Sequence, residues 1–175
     1  CIISLLMTGL IISYNFKLKN TKIFGIICIS VIRFLNIVLG FSILDITLDV
    51  ITYAVPLGVY VVGLSILAKN ELRNNSKDII LNKIFFSITI LTIVYLIIQN
   101  YSWVSIIFLG CLLVIIILSF NHYKSNIPKL ISIQILGIIL LDAIIVGLEN
   151  ELIYGIIISV LIIPAYIMTK KLYIT

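Results

Sequence analysis

The sequence predicts an all-α, polytopic membrane protein, and its composition is the first reason. Hydrophobic residues fill 62% of the 175 positions and charged residues 11%, whereas a soluble domain carries about 25% charged residues. The second reason is that the apolar residues form long runs, most of them close to the roughly 20 residues that a membrane helix requires. Isoleucine, leucine and valine fill these runs without the strict alternation of membrane strands, so helices are predicted rather than a β-barrel.

Seven apolar segments are expected to form the membrane helices of a single transmembrane domain over residues 1–175. They lie at about 1–14, 23–43, 50–69, 83–99, 102–120, 127–148 and 150–169. The first segment is shorter than a full span. We therefore expect the chain to begin inside a longer protein and to form the C-terminal part of a larger bundle.

Charges alternate between successive predicted loops, and this alternation predicts the orientation. Loop 15–22 carries three lysines, and loop 70–82 carries Arg73 and Lys77, with Lys69 and Lys83 at its borders, against Glu71 and Asp78. Loop 44–49 carries Asp45 and Asp49 and no cation. The later loops follow the same alternation as far as a basic C-terminus. Because basic loops stay in the cytoplasm, the two lysine-bearing loops are expected to open on the same, cytoplasmic side of the membrane.

The second predicted helix contains polar residues that contact with lipid does not explain. Five residues, which we call the polar stripe, fall within an arc of about 80° on a helical wheel. They are Lys22, Gly25, Arg33, Asn36 and Gly40. Ionisable groups in a membrane span are costly and usually face a cavity or a partner, so we expect the stripe to face the interior of the bundle.

Two interpretations of the polar stripe are possible from the sequence. In the first, it lines a polar cavity that is open to the cytoplasm, with Lys22 at the mouth. In the second, the glycines allow close helix packing and Arg33 forms a structural ion pair with Asp142.

The third predicted helix also has one distinctive face, and its members extend as far as a carboxylate. They are Tyr53, Pro56, Tyr60, Gly63, Leu67 and Glu71. The two tyrosines and the carboxylate could line the same cavity. Aromatic packing, or a position at the membrane interface, is the alternative for the tyrosines.

Several of these residues resemble the middle of the UbiA superfamily of membrane prenyltransferases. The segment from Tyr14-Asn15 through Lys17 and Lys22 to Arg33-Phe34-Leu35-Asn36 and Gly40 is similar to elements of a bacterial subgroup, Tyr-Asp-x-x-x-Lys and Arg-x-Leu-Asn-x-x-x-Gly. The segment 60–71, YVVGLSILAKNE, is similar to the region that holds the family's second Asp-rich motif. The run from Leu141 to Thr169 is also similar to the family's C-terminal part.

This resemblance implies a bundle of about nine helices around a central cavity. Such enzymes transfer an isoprenoid from its diphosphate to an aromatic or other lipophilic acceptor, and Mg²⁺ bridges carboxylates and diphosphate. The residues expected to bind substrate are Lys17, Lys22, Arg33, Asn36 and Tyr60. The expected metal ligands are Glu71 and Asp78. The expected partners are these two substrates and membrane lipids, with no nucleic acid.

The sequence also departs from the family pattern. The first Asp-rich motif is absent and would lie before residue 1, the second is degenerate beyond Glu71, and Asn15 stands where relatives often carry aspartate. We therefore predict that this chain is inactive alone. We expect a bacterial or archaeal cell-membrane protein with its active-site side in the cytoplasm. The alternatives are a transporter of small solutes or ions, in which Arg33, Gln134 and Asp142 serve a path, and a non-catalytic subunit of a membrane complex.

Overall fold

The computed structural model describes residues 2–41, 48–69, 76–121, 127–149 and 152–172, except the side chains of residues 20, 22, 76 and 170–172. Within these ranges the chain is helical apart from short turns and contains no β-strand. The helices are α1 Ile2–Phe16, α2 Lys22–Phe41, α3 Leu48–Lys69, α4 Ser76–Asn100, α5 Trp103–Asn121, α6 Ile127–Gly147, α7 Leu152–Val160 and α8 Ile162–Leu172. A short 3-10 helix, Leu18–Asn20, joins α1 to α2.

Six segments of the described chain are long and apolar enough to cross a membrane, with α7 and α8 counting together as one. The prediction of an all-α, polytopic membrane protein is therefore confirmed at this level. The first predicted segment corresponds to α1, which is apolar but has only 15 residues.

Helix α4 begins earlier than the apolar run indicates. The sequence predicted a loop over residues 70–82, whereas the helix begins at Ser76 and has Asp78 in its first turn. A carboxylate in the first turn interacts favourably with the positive end of the helix dipole. Hydropathy alone does not detect this signal, so the second half of the predicted loop was assigned wrongly.

The last predicted span is interrupted between α7 and α8. Helix α7 ends at Val160 and α8 begins at Ile162, and the cause lies two residues further along, at Pro164. Proline has no amide hydrogen to donate to the carbonyl four residues earlier, and its ring collides with that carbonyl. The amide of Leu161 donates instead to Ile158 at 3.0 Å, and the amide of Ala165 donates to Leu161 at 3.2 Å.

The chain divides into two compact units. Unit one comprises Cys1–Asn70 and Asn75–Thr92, and unit two comprises Glu71–Asn74 and Ile93–Thr175. Unit one therefore contains α1 to α3 and the first part of α4. Unit two contains the rest of α4 and α5 to α8.

In unit one, small residues let α3 approach its neighbours. Against α2, the hydroxyl of Ser30 donates to the carbonyl of Gly58 at 2.5 Å. Against α4, a Cβ atom added to Gly63 would lie 2.8 Å from Cβ of Phe85. Beside Gly63, the rings of Tyr60 and Phe86 stack with centroids 4.4 Å apart. Serine and glycine are typical of membrane-helix interfaces because they allow backbones to come close.

The face of the third helix that the sequence singled out is buried over its described residues. Its five described members are all buried, and they are Tyr53, Pro56, Tyr60, Gly63 and Leu67. Glu71, the sixth residue predicted on this face, lies outside the described residues.

In unit two, two buried serines connect the beginning of α5 to the end of α6. The hydroxyl of Ser102 donates to the carbonyl of Gly147 at 2.5 Å, and the hydroxyl of Ser105 donates to the carbonyl of Ile144 at 2.9 Å. Gly155 of α7 packs against the ring of Phe108. The two helix ends joined by the serines therefore lie at the same end of unit two, as the alternating spans predict.

We predict that Gly63→Ala destabilises the protein by about 1–3 kcal/mol, the usual cost of overpacking a close-packed site. The added methyl would press on Phe85 at its Cβ, which cannot swing away. Thermal unfolding in detergent micelles measures the effect. Gly110→Ala is the control, because its added methyl meets nothing within 4 Å, and alanine should then raise helix stability by up to about 1 kcal/mol. Equal effects of the two substitutions would contradict close packing at Gly63.

Candidate functional site

The end of α3 and the beginning of α2 meet through Lys69, which is the last residue of α3. Its ammonium group donates a hydrogen bond to the carbonyl oxygen of Thr21. The hydroxyl of Thr21 donates to the carbonyl of Leu18 at 2.8 Å, and the amide of Thr21 donates to the same carbonyl at 3.0 Å. Residues 17–21, which we call the lysine turn, are therefore held against the end of α3.

Gly25 makes this arrangement possible. A Cβ atom at this position would lie 2.5 Å from the carbonyl oxygen of Leu18 and 2.5 Å from Nζ of Lys69. No side chain fits there without displacing the turn or the lysine. The sequence placed Gly25 in the polar stripe, and its role in the structure is to leave room for the side chain of Lys69.

Several positive charges gather at this end of unit one, which we call the basic end. Helix α4 begins at the end where α3 finishes, because Gly63, near the end of α3, packs against Asn82 and Phe85 near the beginning of α4. The described lysines of the basic end are Lys17, Lys19, Lys69, Lys77 and Lys83. All are exposed except Lys69, which is partly buried. Asp78, in the first turn of α4, is the one carboxylate among the described residues of this end.

The basic end confirms one expectation from the sequence and leaves others as predictions. The lysine turn before α2 and the C-terminal end of α3 lie at the same end of unit one, as the loop charges predicted. The side of the membrane that this end faces remains a prediction. Lys17 lies at the beginning of the lysine turn, and its side chain is exposed. Lys22 is the first residue of α2, but its side chain and the whole of Glu71 lie outside the description.

Arg33, Asn36 and Gly40 are exposed, and the expectation that the polar stripe faces the interior of the bundle remains a prediction for these three residues. In unit one, α2 makes its contacts through other faces. Cys28 donates to a carbonyl of α1, and Ser30 contacts α3. The wheel identified residues that share a face but not which faces a neighbouring helix covers. Arg33 and Asp142 belong to different units, and their ion pair remains a prediction.

Tyr60 is enclosed by protein rather than placed beside an open space. Its side chain is 0% exposed, and its ring is nearly parallel to that of Phe86, with an angle of 2° between the planes. This is the aromatic packing that the sequence left open as the alternative to lining a cavity. Tyr60 therefore helps to hold α3 against α4 beneath the basic end.

The described residues do not form a magnesium site by themselves. No group of three or more histidine, cysteine, aspartate or glutamate side chains occurs among them. Mg²⁺ is commonly held by one or two carboxylates together with substrate phosphates, and Asp78 is half-buried at the beginning of α4. The predicted magnesium site thus depends on Glu71 as well as on Asp78.

Lys69 is the residue of the basic end that the sequence did not single out. Its position at the border of an apolar run is typical of a lysine that extends its side chain to the membrane surface. The signal that could have identified its contact is Gly25, a small residue in the first turn of a neighbouring membrane helix.

Comparison with known protein families, with curated proteins and with solved structures found no match to this chain. The resemblance to the UbiA superfamily therefore depends on the motif residues named above.

We predict that Lys69→Met loosens the lysine turn, because methionine keeps most of the apolar stem but cannot donate to Thr21. Amide hydrogen exchange of residues 17–25, followed by mass spectrometry in detergent, should accelerate about tenfold, since a hydrogen bond from a charged group contributes about 1.5–3 kcal/mol. Lys129→Met is the control, because Lys129 is an exposed lysine of unit two. Unchanged exchange in the Lys69 variant would show that this bond does not hold the turn.

Proposed function

We propose that this chain is part of an integral membrane prenyltransferase, which transfers an isoprenoid from its diphosphate to an aromatic or other lipophilic acceptor. The basic end of unit one is the proposed site for the diphosphate group. The residues that resemble the UbiA superfamily support this proposal, because Lys17 and Lys22 of the motif lie in or beside the lysine turn.

The observation that carries the proposal is a polar path along α2. It starts at Gly25, where Lys69 covers the helix, and continues to the exposed Arg33 and Asn36. Arg33 lies about 12 Å beyond Gly25 at 1.5 Å per residue, and therefore near the middle of a helix that ends at Phe41. A cationic and an amide group thus lie in the membrane-spanning part of α2, on the face that also holds Gly25.

Lipid is a poor environment for this path. An arginine at the centre of a membrane helix costs at least about 2.5–3.5 kcal/mol when it faces lipid, and such residues usually face a cavity, water or a partner. An anionic ligand would remove this cost, because a guanidinium group can donate paired hydrogen bonds to a phosphate. The exposure of Arg33 therefore supports a polar ligand-binding surface more strongly than a lipid-facing one.

The chemistry of prenyl transfer requires the features found at this end. The bond between the isoprenoid carbon and the diphosphate oxygen breaks, and the diphosphate leaves with the electron pair. The acceptor forms a bond to that carbon and releases a proton. Lysine and arginine groups fixed beside the departing diphosphate stabilise the negative charge that develops there. The apolar helix surfaces offer the isoprenoid tail an environment similar to lipid.

Because we expect no turnover by this chain alone, binding is the test of the proposed site. The chain in lipid nanodiscs should bind farnesyl thiolodiphosphate, which resists cleavage, and should bind farnesol much more weakly. Lys22→Ala should weaken binding of the diphosphate about tenfold or more, since hydrogen bonds to charged groups contribute about 1.5–3 kcal/mol. Isothermal titration calorimetry gives both affinities.

Lys129→Ala is the matched control, because it removes one lysine from unit two and should leave the affinity unchanged. Equal binding of the diphosphate and the alcohol would contradict the proposal. So would equal losses in the two lysine variants, since the attraction would then be a general effect of positive charge. In either case a transporter or a non-catalytic subunit would describe the chain better.

Magnesium dependence tests the predicted metal ligands separately. Removal of Mg²⁺ by a chelator should weaken diphosphate binding about tenfold or more, because the ion would bridge the carboxylates and the diphosphate. Loss of a residue that only supports a metal ligand already lowers metal affinity by about tenfold or more. In Glu71→Gln or Asp78→Asn, chelation should have little further effect, because the carboxylate that binds the ion is already lost. Asp49→Asn is the control at the beginning of α3. Diphosphate binding that is insensitive to chelation would remove Glu71 and Asp78 from the site without removing the lysines.

A further inference from the structure

The turn between α4 and α5 has an unusual backbone and unusual side chains. Only Tyr101 and Ser102 separate the two helices. Tyr101 has a φ of 51°, and it is the one non-glycine residue with positive φ among the described residues. The amide of Ser102 donates to the carbonyl of Ile97 at 3.3 Å. This pattern closes a helix through a left-handed residue, a position that glycine usually occupies because a side chain there costs energy.

The serine of this turn is fixed inside the protein. Ser102 is 1% exposed. Its hydroxyl donates to the carbonyl of Gly147 at 2.5 Å and accepts a hydrogen bond from the amide of Ser105 at 3.2 Å. These bonds hold the turn against the end of α6, so the direction of the residues on either side of Ser102 is fixed as well.

The two neighbours of Ser102 are large aromatic residues that point away from the protein. Tyr101 is 83% exposed and Trp103 is 79% exposed. Two further exposed tyrosines lie near this end of unit two, Tyr95 in the last two turns of α4 and Tyr154 in the first turn of α7. Tyrosine and tryptophan are enriched where the hydrocarbon of a bilayer meets its polar headgroups.

The α4–α5 pair has no charged side chain that could set the depth of this turn, because residues 84–121 contain none. Lysine and arginine near helix ends commonly extend to the membrane surface and hold a helix in place, but the α4–α5 pair has no such residue at this end. The amphipathic rings are the groups available for that task, since each has an apolar body and a polar N–H or O–H.

We propose that Tyr101 and Trp103 form an interfacial anchor, which binds the boundary between the acyl chains and the headgroups of the bilayer and sets the depth of the α4–α5 hairpin. The left-handed backbone at Tyr101 positions the tyrosine ring on one side of the buried Ser102. Trp103, the first residue of α5, positions the indole ring on the other side. The partner of this surface is lipid. The inference is independent of the proposed enzymatic function.

The test uses the intact chain in phosphatidylcholine vesicles, because Trp103 is its single tryptophan and all tryptophan fluorescence reports on this site. Lipids brominated near the headgroup should quench Trp103 about twofold more strongly than lipids brominated near the chain end, as expected for an interfacial ring. Acrylamide in the water should quench it less than free tryptophan. Trp103→Phe provides the background signal.

Three results would overturn the anchor. Strongest quenching by the deepest bromines would place the turn in the hydrocarbon. Acrylamide quenching equal to that of free tryptophan would place it in water. Failure of every lipid and of acrylamide to quench would mean that protein, such as a second copy of the chain, covers the ring.

Tyr101→Gly tests the second ring without endangering the fold, since glycine is the preferred residue at this backbone position. We expect this variant to fold at least as well as the natural chain and to expose Trp103 more to acrylamide. If the quenching profile of Trp103 stayed unchanged, Tyr101 would not be part of the anchor, and the proposal for the pair would fail.

Discussion

Helices in a membrane gain no hydrophobic stabilisation from contact with one another, because lipid is as apolar as leucine. The helix contacts of this chain follow from that constraint. Contacts between helices contain a small residue or a hydroxyl group at Ser30 with Gly58 in unit one and at Ser105 with Ile144 in unit two. Aliphatic residues fill the spaces between such contacts, but they do not determine which face of a helix meets its neighbour.

This constraint explains which parts of the fold the sequence could predict. Apolar runs identified the helices, since lipid requires about 20 apolar residues per span. They did not identify the start of α4, which has Asp78 in its first turn, or the interruption caused by Pro164. The face of α3 that the sequence singled out is buried, and Gly63 on that face admits another helix. On α2, Ser30 and Cys28 make the contacts with neighbouring helices, and neither interrupts the apolar pattern.

The candidate site was predictable to a similar extent. Loop charges correctly placed the lysine turn and the end of α3 at one end of unit one. The contact between Lys69 and Thr21 could not be derived in the same way, because it depends on the path of a long side chain over Gly25. For Tyr60 the position was predictable, but the contact was not. Its position on a buried face was evident, but whether a buried aromatic ring packs or lines a cavity depends on what faces it, and here Phe86 does.

The polar path on α2 and the aromatic turn of unit two show two ways in which this chain meets a bilayer. At the turn, the sequence carries no charge and aromatic rings hold it at the interface. Each ring is partly apolar and partly polar, so the boundary between acyl chains and headgroups suits both parts of the ring. Arg33 differs, because no part of a bilayer's hydrocarbon satisfies a guanidinium group at the middle of a span. Its exposure is stable only where water, a polar protein surface or an anionic ligand adjoins α2. Since Gly25, which adjoins Lys69 at the basic end, lies on the same face, an anionic group that enters there would satisfy both Arg33 and the lysines.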